Sequence, residues 1–213
     1  MPVMKRADPE FVLADPVSAD AEAFGRLRAR LLLSPWGEAP HRALAVVSAD
    51  EGDGRSYVCA NLAASISQMG RRTLLVDADL RRPRQHKLFS TGNDRGLTTC
   101  LAGLEPVECK RSVPGFPFLS IVPAGPMADN ALDRIHSPAF ATWMQHAMRD
   151  YDFVVLDTPS ANANLEALAI AAIARYALVV GRNGQSRVRS VQSLLEALAH
   201  AGVQVTGIVM NDH

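Results

Sequence analysis

The sequence predicts an α/β fold: a doubly wound, mostly parallel sheet with helices on both faces. Short apolar runs, such as residues 44–47 and 153–156, lack the polar alternation of half-exposed strands and are typical of parallel strands buried on both sides. These runs alternate along the chain with amphipathic helical segments, which is the pattern of stacked strand–helix units. In such sheets, ligands bind where the carboxyl ends of the strands meet the helix N-termini.

The individual elements follow from periodicity. Strands are predicted at residues 44–47, 73–76, 118–122, 153–156, 177–180 and 205–210. Helices are predicted from about Asp20, after the glycine-rich turn as far as Gly70, from Ser137-Pro138 onward, and over residues 187–200. Residues 1–19 contain Asp-Pro pairs and show no periodicity, so we interpret them as an irregular arm preceding one domain over residues 20–213.

Composition excludes several classes of protein. The 213 residues include 22 Lys+Arg and 22 Asp+Glu, and this balance argues against a strongly basic nucleic-acid binder. No apolar run approaches the ~18 residues of a membrane span, and the N-terminus lacks the apolar core of a signal peptide. Three widely spaced cysteines suit reduced thiols. We therefore expect a cytoplasmic protein without nucleic-acid partners.

A glycine-rich segment follows the first strand. Residues 49–56, Ala-Asp-Glu-Gly-Asp-Gly-Arg-Ser, have the frame of a phosphate-binding loop, Gly-x4-Gly-Lys-[Ser/Thr], with Ala49 at the first glycine and Arg55 at the lysine. Gly52 and Gly54 allow the backbone N–H groups to form an anion nest at a helix N-terminus. The Ser56 hydroxyl is suited to Mg2+. The alternative is an ordinary strand-to-helix turn.

Three carboxylates follow two other strands. Asp77 and Asp79 come just after the second strand, and Asp157 follows residues 153–156. In a parallel sheet these positions share an edge with the glycine-rich loop, and a divalent cation between them would balance phosphate charge. The alternative interpretation is that Asp77 and Asp157 cap helices.

These motifs together resemble the bacterial tyrosine kinases of capsule and exopolysaccharide production. The phosphate loop, the strand ending Asp-x-Asp-x-Arg at residues 77–81 and the segment Asp-Thr-Pro at 157–159, which is similar to the family's Asp-x-x-Pro, occur in the same order. The resemblance covers residues from about 20 to the C-terminus. It implies a P-loop NTPase of the deviant Walker type that uses ATP and Mg2+ to phosphorylate protein tyrosines.

The resemblance also implies roles for single residues. Cofactor-binding residues would be Gly52, Asp53, Gly54, Arg55, Ser56 and Tyr57. Metal-binding residues would be Ser56, Asp77, Asp79 and Asp157. Catalytic residues would be Asp77, Asp79 and Arg55, with one of the two aspartates accepting the tyrosine proton.

The resemblance further implies partners. The expected one is a membrane-embedded polysaccharide chain-length or co-polymerase protein, which would recruit the chain to the inner face of the plasma membrane. The first helix, with Glu22 and Arg28, is similar to the family's Glu-x-x-Arg-x-x-Arg assembly helix and implies a homo-oligomer. Gly25 stands at the first arginine's place, and the alternative is an ordinary solvated basic face.

Several departures from the family pattern favour a regulator with weak or lost kinase activity, a pseudokinase, in polysaccharide synthesis and export. Arginine for lysine at position 55 is not conservative. Unless they point to solvent, Asp50, Glu51 and Asp53 would oppose ATP, and Tyr57 would add bulk near the α-phosphate. Relatives usually continue into a tyrosine-rich tail, whereas this sequence ends at His213 with three tyrosines.

Two other functions remain as alternatives. One is an active ATP-dependent protein-tyrosine kinase in which Arg55 substitutes for the lysine. The other is a partition-type ATPase, but those proteins carry an extra lysine at the position of Asp50.

Overall fold

A computed structural model describes residues 18–127, 130–162 and 164–212. Within them, seven strands form one sheet in the order β3-β4-β2-β5-β1-β6-β7, parallel except for the antiparallel pair β3–β4. The strands are β1 Ala43–Val47, β2 Thr73–Asp77, β3 Arg111–Val113, β4 Phe116–Val122, β5 Phe153–Asp157, β6 Tyr176–Arg182 and β7 Gln204–Asn211. The predicted doubly wound, mostly parallel sheet is confirmed.

Ten helices lie within the same described ranges. They are α1 Ala19–Leu32, α2 Pro35–Glu38, α3 Arg55–Ser67, α4 Gln85–Leu88, α5 Leu97–Cys100, α6 Pro106–Cys109, α7 Ala131–His136, α8 Pro138–Asp150, α9 Glu166–Ala174 and α10 Val188–His200. None of the helices in this part of the chain is long and apolar enough to span a bilayer. Most of the expected arm, residues 1–17, lies outside the described residues.

The sheet separates two hydrophobic cores. Every residue of β1, β2 and β5 is buried, because helices cover both faces. Leu44 and Val46 pack with α1 and α3, whereas Ala45 and Val47 pack on the opposite face with residues of α8, α9 and α10. This alternation along one strand is the two-residue period of β structure.

Capping residues fix several helix ends. Ser137 accepts a hydrogen bond from the Phe140 amide, and Pro138 occupies the first turn of α8, as predicted. Ser18 caps α1 in the same way through the Ala21 amide. The predicted stop after α3 is also present, because Gly70 adopts a φ of +74°.

Sequence analysis missed the edge strand β3, all the short helices (α2, α4, α5, α6 and α7) and helix α9. Arg111 and Val113 are half-buried and Ser112 is exposed, so no continuous apolar run marks this strand. The expectation that all cysteines are reduced is wrong for two of them: a disulfide joins Cys100 to Cys109, and Cys59 is buried and free. The fold brings α5 and α6 together, which the spacing of the cysteines did not indicate.

Candidate functional site

The predicted site residues meet at the carboxyl edge of the three central strands. Strand β5 lies between β2 and β1, and Asp77 is directly opposite Asp157 in the β2–β5 register. The Ala78 amide also donates to the Asp157 carbonyl oxygen, at 2.8 Å. The glycine-rich loop follows β1 and leads into α3 at the same edge. Parallel topology therefore brings residues that are about a hundred positions apart into one site.

Glycine is required at two positions of the loop. Gly52 and Gly54 have φ values of +84° and +90°, a region that disfavours side chains. Gly54 is also the N-cap of α3, and a Cβ atom there would overlap the side-chain amide of Asn211. That amide donates to the Asp53 carbonyl oxygen at 3.2 Å. The end of β7 is therefore packed directly against the loop.

The acidic side chains of the loop have protein partners. Asp50 accepts a hydrogen bond from the Asn162 amide at 2.8 Å, and Glu51 forms an ion pair with Arg82. Asp53 is buried and accepts from the Ser186 hydroxyl at 2.7 Å. Sequence analysis expects these carboxylates to oppose ATP unless they point to solvent. Glu51 is largely exposed although it pairs with Arg82, whereas Asp53 is buried and held by Ser186.

Arg55 occupies a buried position among protein acceptors. Its side chain is 9% exposed. Nε donates to the Thr158 carbonyl oxygen at 2.8 Å, while Nη1 donates to the Ser48 hydroxyl and to the Asp50 carbonyl oxygen. Nη2 lies 3.9 Å from Asp79 Oδ2. The guanidinium thus connects β1, the loop and the segment after β5.

Asp77 and Asp157 share a third residue, Gln85. Asp77 Oδ2 accepts from the backbone amides of Arg84 and Gln85 at the start of α4, so the helix-capping interpretation holds for this one oxygen. Gln85 Nε2 donates to Asp157 Oδ2 at 2.8 Å and to the Ser56 carbonyl oxygen at 3.0 Å. Asp77 Oδ1, Asp157 Oδ1 and Gln85 Oε1 are buried and have no partner.

Burial changes the acidity of this pair of aspartates. Loss of water raises the pKa of Asp77 well above its usual value, and the neighbouring Asp157 raises it further. Burial also raises the pKa of Asp157, although Arg55, Gln85 and Ser56 oppose this by stabilising its charged form. The pair is therefore a buried acidic centre whose charge is only partly balanced by the protein.

Asp79 and Arg81 stabilise the loop after β2. Asp79 Oδ1 accepts from the backbone amides of Arg81 and Arg82 at 3.3 and 2.9 Å. Arg81 donates from Nε and Nη2 to one oxygen of Glu166, a residue that is almost completely buried at the start of α9. Arg81, which was expected near a subunit or phosphate edge, thus pairs within the chain.

Comparison with known proteins places this geometry in a family. A family model described as "ParA: NUBPL iron-transfer P-loop NTPase" matches residues 40–213. The putative tyrosine-protein kinase CapB of Staphylococcus aureus is 31% identical over 206 residues, which are 95% of this chain and 89% of CapB. The chain belongs to the bacterial tyrosine-protein kinase family, within the ParA-type P-loop NTPases. The resemblance seen in the three motifs is confirmed.

Other members of the tyrosine-kinase family are much longer. The tyrosine-protein kinase Wzc of Salmonella typhimurium is 30% identical over 199 residues, but this chain spans only 28% of Wzc. The kinase domain of the Escherichia coli tyrosine kinase ETK superposes with a TM-score of 0.90 at 26% identity, covering 99% of this chain and 84% of that one.

A more distant structure shows the shared fold. The septum site-determining protein MinD of Pyrococcus horikoshii, complexed with Mg-ADP, has a TM-score of 0.67 at 22% identity and covers 79% of this chain and 69% of its own. That structure holds ADP together with magnesium on the same fold.

The donors of this tyrosine-kinase homologue fit magnesium in a specific way. Within the described ranges, no three His, Cys, Asp or Glu side chains are grouped to hold a metal ion by themselves. Mg2+, however, usually keeps several waters and takes only one or two protein ligands besides phosphate. The Ser56 hydroxyl and the unpartnered oxygens of Asp77 and Asp157 match that requirement.

Two residues predicted from the family pattern have other contacts in this chain. The Tyr57 ring packs edge-on against Phe24 of α1, with centroids 5.9 Å apart, and burial together with Asp20 raises the pKa of Tyr57 to about 12. The side chain thus contributes to α1–α3 packing. Arg28 of the expected assembly helix donates to the Ser65 carbonyl oxygen at 2.5 Å.

Sequence analysis missed three contributors to the site. Gln85, Asn211 and Thr158 act through an amide or a backbone carbonyl, and sequence analysis assigns none of them a role in the site. Gln85 follows Asp77 by eight residues and opens α4. A buried amide beside two carboxylates becomes recognisable only when the strands are assembled.

Proposed function

We propose that this chain is a regulator in bacterial exopolysaccharide or capsule synthesis and export, with weak or lost tyrosine-kinase activity. It binds nucleotide and Mg2+ at the β1–α3 loop through Gly52, Gly54 and Ser56. The proposal combines the family membership with the contacts of one residue, Arg55.

The position of Arg55 carries the proposal. In a phosphate loop the lysine supplies a compact, mobile charge to the β- and γ-phosphates. Here the guanidinium is buried and donates to three protein acceptors, those of Ser48, Asp50 and Thr158. Movement toward a γ-phosphate would leave the buried Thr158 carbonyl oxygen without its Arg55 donor, which opposes that movement. Reduced phosphoryl transfer follows.

The loop nevertheless supports nucleotide binding. Arg82 balances the charge of Glu51, which weakens the electrostatic argument against a polyphosphate, while Asp50 and Asp53 keep their charges and accept hydrogen bonds from Asn162 and Ser186. The same observation favours the second candidate function, an active protein-tyrosine kinase. A partition-type ATPase is the third, and the position of its extra lysine is occupied here by Asp50.

The proposed partner is the membrane-embedded chain-length or co-polymerase protein of the same polysaccharide system, which holds the chain at the inner face of the membrane. The support is the family resemblance alone. An adjacent gene for a transmembrane chain-length protein, and co-purification of its product with this chain, would support this partner; failure of the two to co-purify would contradict it. Association in a self-complex through α1 is a separate proposal, tested by light scattering of wild type and Glu22→Ala.

Calorimetric titration with ATP and Mg2+ tests the function, using wild type, Arg55→Lys and Arg82→Lys as the control. Arg55→Lys should bind ATP more tightly and transfer more phosphate to a tyrosine peptide, whereas Arg82→Lys, on the exposed Glu51 pair, should behave as wild type. Micromolar ATP binding with steady phosphorylation by wild type would replace the regulator with the active kinase. No heat from either protein would remove nucleotide binding and leave only a scaffold.

A further inference from the structure

The amide of Gln85 is placed between the two aspartates of the site. The residue is completely buried. Its backbone N–H donates to Asp77 Oδ2, and its side-chain Nε2 donates to Asp157 Oδ2 and to the carbonyl oxygen of Ser56. One residue therefore contacts both carboxylates and the first turn of the helix that follows the loop.

The orientation of this amide is fixed by its neighbours. Both groups that face Nε2 are pure acceptors, a carboxylate and a backbone carbonyl, so only the NH2 group can be directed at them. Gln85 Oε1 then remains buried and without a partner, as do Asp77 Oδ1 and Asp157 Oδ1. Buried oxygens without donors are rare in folded proteins and call for a bound water or ion.

We propose that Gln85 is a positioning residue for magnesium at this site. It holds Asp157 Oδ2 through a charge-assisted hydrogen bond, which leaves Asp157 Oδ1 available to the ion or its waters, while Gln85 Oε1 accepts from one of those waters. Partners of this kind orient metal-binding carboxylates in many proteins. The inference rests on the proposed binding of nucleotide with Mg2+, and it adds a residue outside the family motifs.

The alternative is that Gln85 only packs the short helix α4 against α3. That role needs only the hydrogen bond from Gln85 Nε2 to the Ser56 carbonyl oxygen. It does not explain why Gln85 Oε1 is buried without a partner. It also predicts that substitution of Gln85 weakens ADP binding equally in the presence and in the absence of Mg2+. A positioning role instead predicts a selective effect on magnesium.

ADP titrations by calorimetry, in Mg2+ and in EDTA, separate these roles. The variants are Gln85→Met, which keeps size and removes the amide, and Lys87→Met, an exposed control on the same helix. Gln85→Met should lose about tenfold or more of the gain in ADP affinity caused by Mg2+, whereas its affinity in EDTA stays within about twofold of wild type. Lys87→Met should match wild type. Gln85→Asn, too short to reach both acceptors, should lose the gain as well and serves if Gln85→Met fails to fold.

Equal loss in both buffers, or an unchanged effect of Mg2+, would overturn the positioning role. Wild-type ADP binding that ignores Mg2+ would also overturn it while leaving nucleotide binding intact. If wild type binds no ADP in either buffer, the proposed nucleotide binding on which this inference rests fails, and only a scaffold remains of the proposed function. Crystal structures of nucleotide-free wild type and Gln85→Met then decide: the Asp157 carboxylate should rotate in the variant, and an unmoved carboxylate contradicts the proposal.

Discussion

Arg55 Nε donates to the backbone carbonyl oxygen of Thr158 at 2.8 Å, across 103 residues of sequence. The bond joins the first turn of α3 to the segment after β5, and the same guanidinium also reaches Ser48 on the end of β1. Since a lysine ammonium lacks the planar fork of donors, it would not reproduce this set of contacts. Arg55 is thus a structural connector of the site as well as a substitute for the lysine.

Removing this connector should destabilise the fold. We expect Arg55→Met to lower the free energy of unfolding by about 1–3 kcal/mol, because the Thr158 carbonyl oxygen stays buried without its Arg55 donor. Urea denaturation measures the change. Arg71→Met, at an exposed position before β2, is the control and should stay within about 0.5 kcal/mol of wild type. Equal effects of the two substitutions would show that the Arg55 contacts contribute nothing.

The two loop glycines should respond differently to alanine. Both have positive φ, so each alanine is strained, but only at Gly54 does the new Cβ overlap a neighbour, the Asn211 amide. We expect Gly54→Ala to cost at least about 1 kcal/mol more than Gly52→Ala in urea unfolding. In the double variant Gly54→Ala/Asn211→Ala, this additional loss of unfolding free energy should largely disappear. If it persists, the overlap with Asn211 is not its cause.

The central strands could be predicted because burial on both faces leaves continuous apolar runs. Strands β1, β2 and β5 were located from sequence to within a residue or two. Strand β3 was not, because a short, half-exposed edge strand depends on pairing with β4 and carries no apolar signal of its own.

The site was predictable to the extent that topology determines it. Asp77 and Asp157 follow parallel strands, so their placement at one edge is a consequence of the fold. The role of Thr158 lies in a backbone carbonyl oxygen, which any residue supplies, and the role of Gln85 depends on the packing of α4. Neither contact has a pattern in a single sequence.

Two ion pairs beside the site should contribute differently to the free energy of unfolding. Arg81 donates twice to Glu166, whose side chain is 4% exposed, whereas Arg82 and Glu51 are both largely exposed. Arg81→Met should cost about 1–2 kcal/mol, since it leaves a buried carboxylate without its donor. Arg82→Met should cost less than about 1 kcal/mol. Thermal unfolding of both variants, at low and high salt, makes the comparison, and equal costs would contradict it.

Metal-free protein should become less stable as the pH rises through the acidic range. Burial raises the pKa of Asp77 in the folded chain, so between the unfolded and folded pKa values the folded state binds more protons than the unfolded state. Stability is then complete below the unfolded pKa and falls until the folded pKa is passed. In EDTA, Asp77→Asn should therefore melt a few degrees above wild type at neutral pH, and this difference should shrink on acidification.

The control for this titration is Asp133→Asn, an exposed carboxylate on α7, which should follow wild type across the pH range. Mg2+ with ADP should raise the melting temperature of wild type more than that of Asp77→Asn. The ionised Asp77 carboxylate destabilises the metal-free fold, and a bound cation would offset that destabilisation. If Asp77→Asn instead melts below wild type in EDTA at neutral pH, the ionised carboxylate stabilises the fold. The two backbone amide donors would then lower the pKa of Asp77 more than burial raises it.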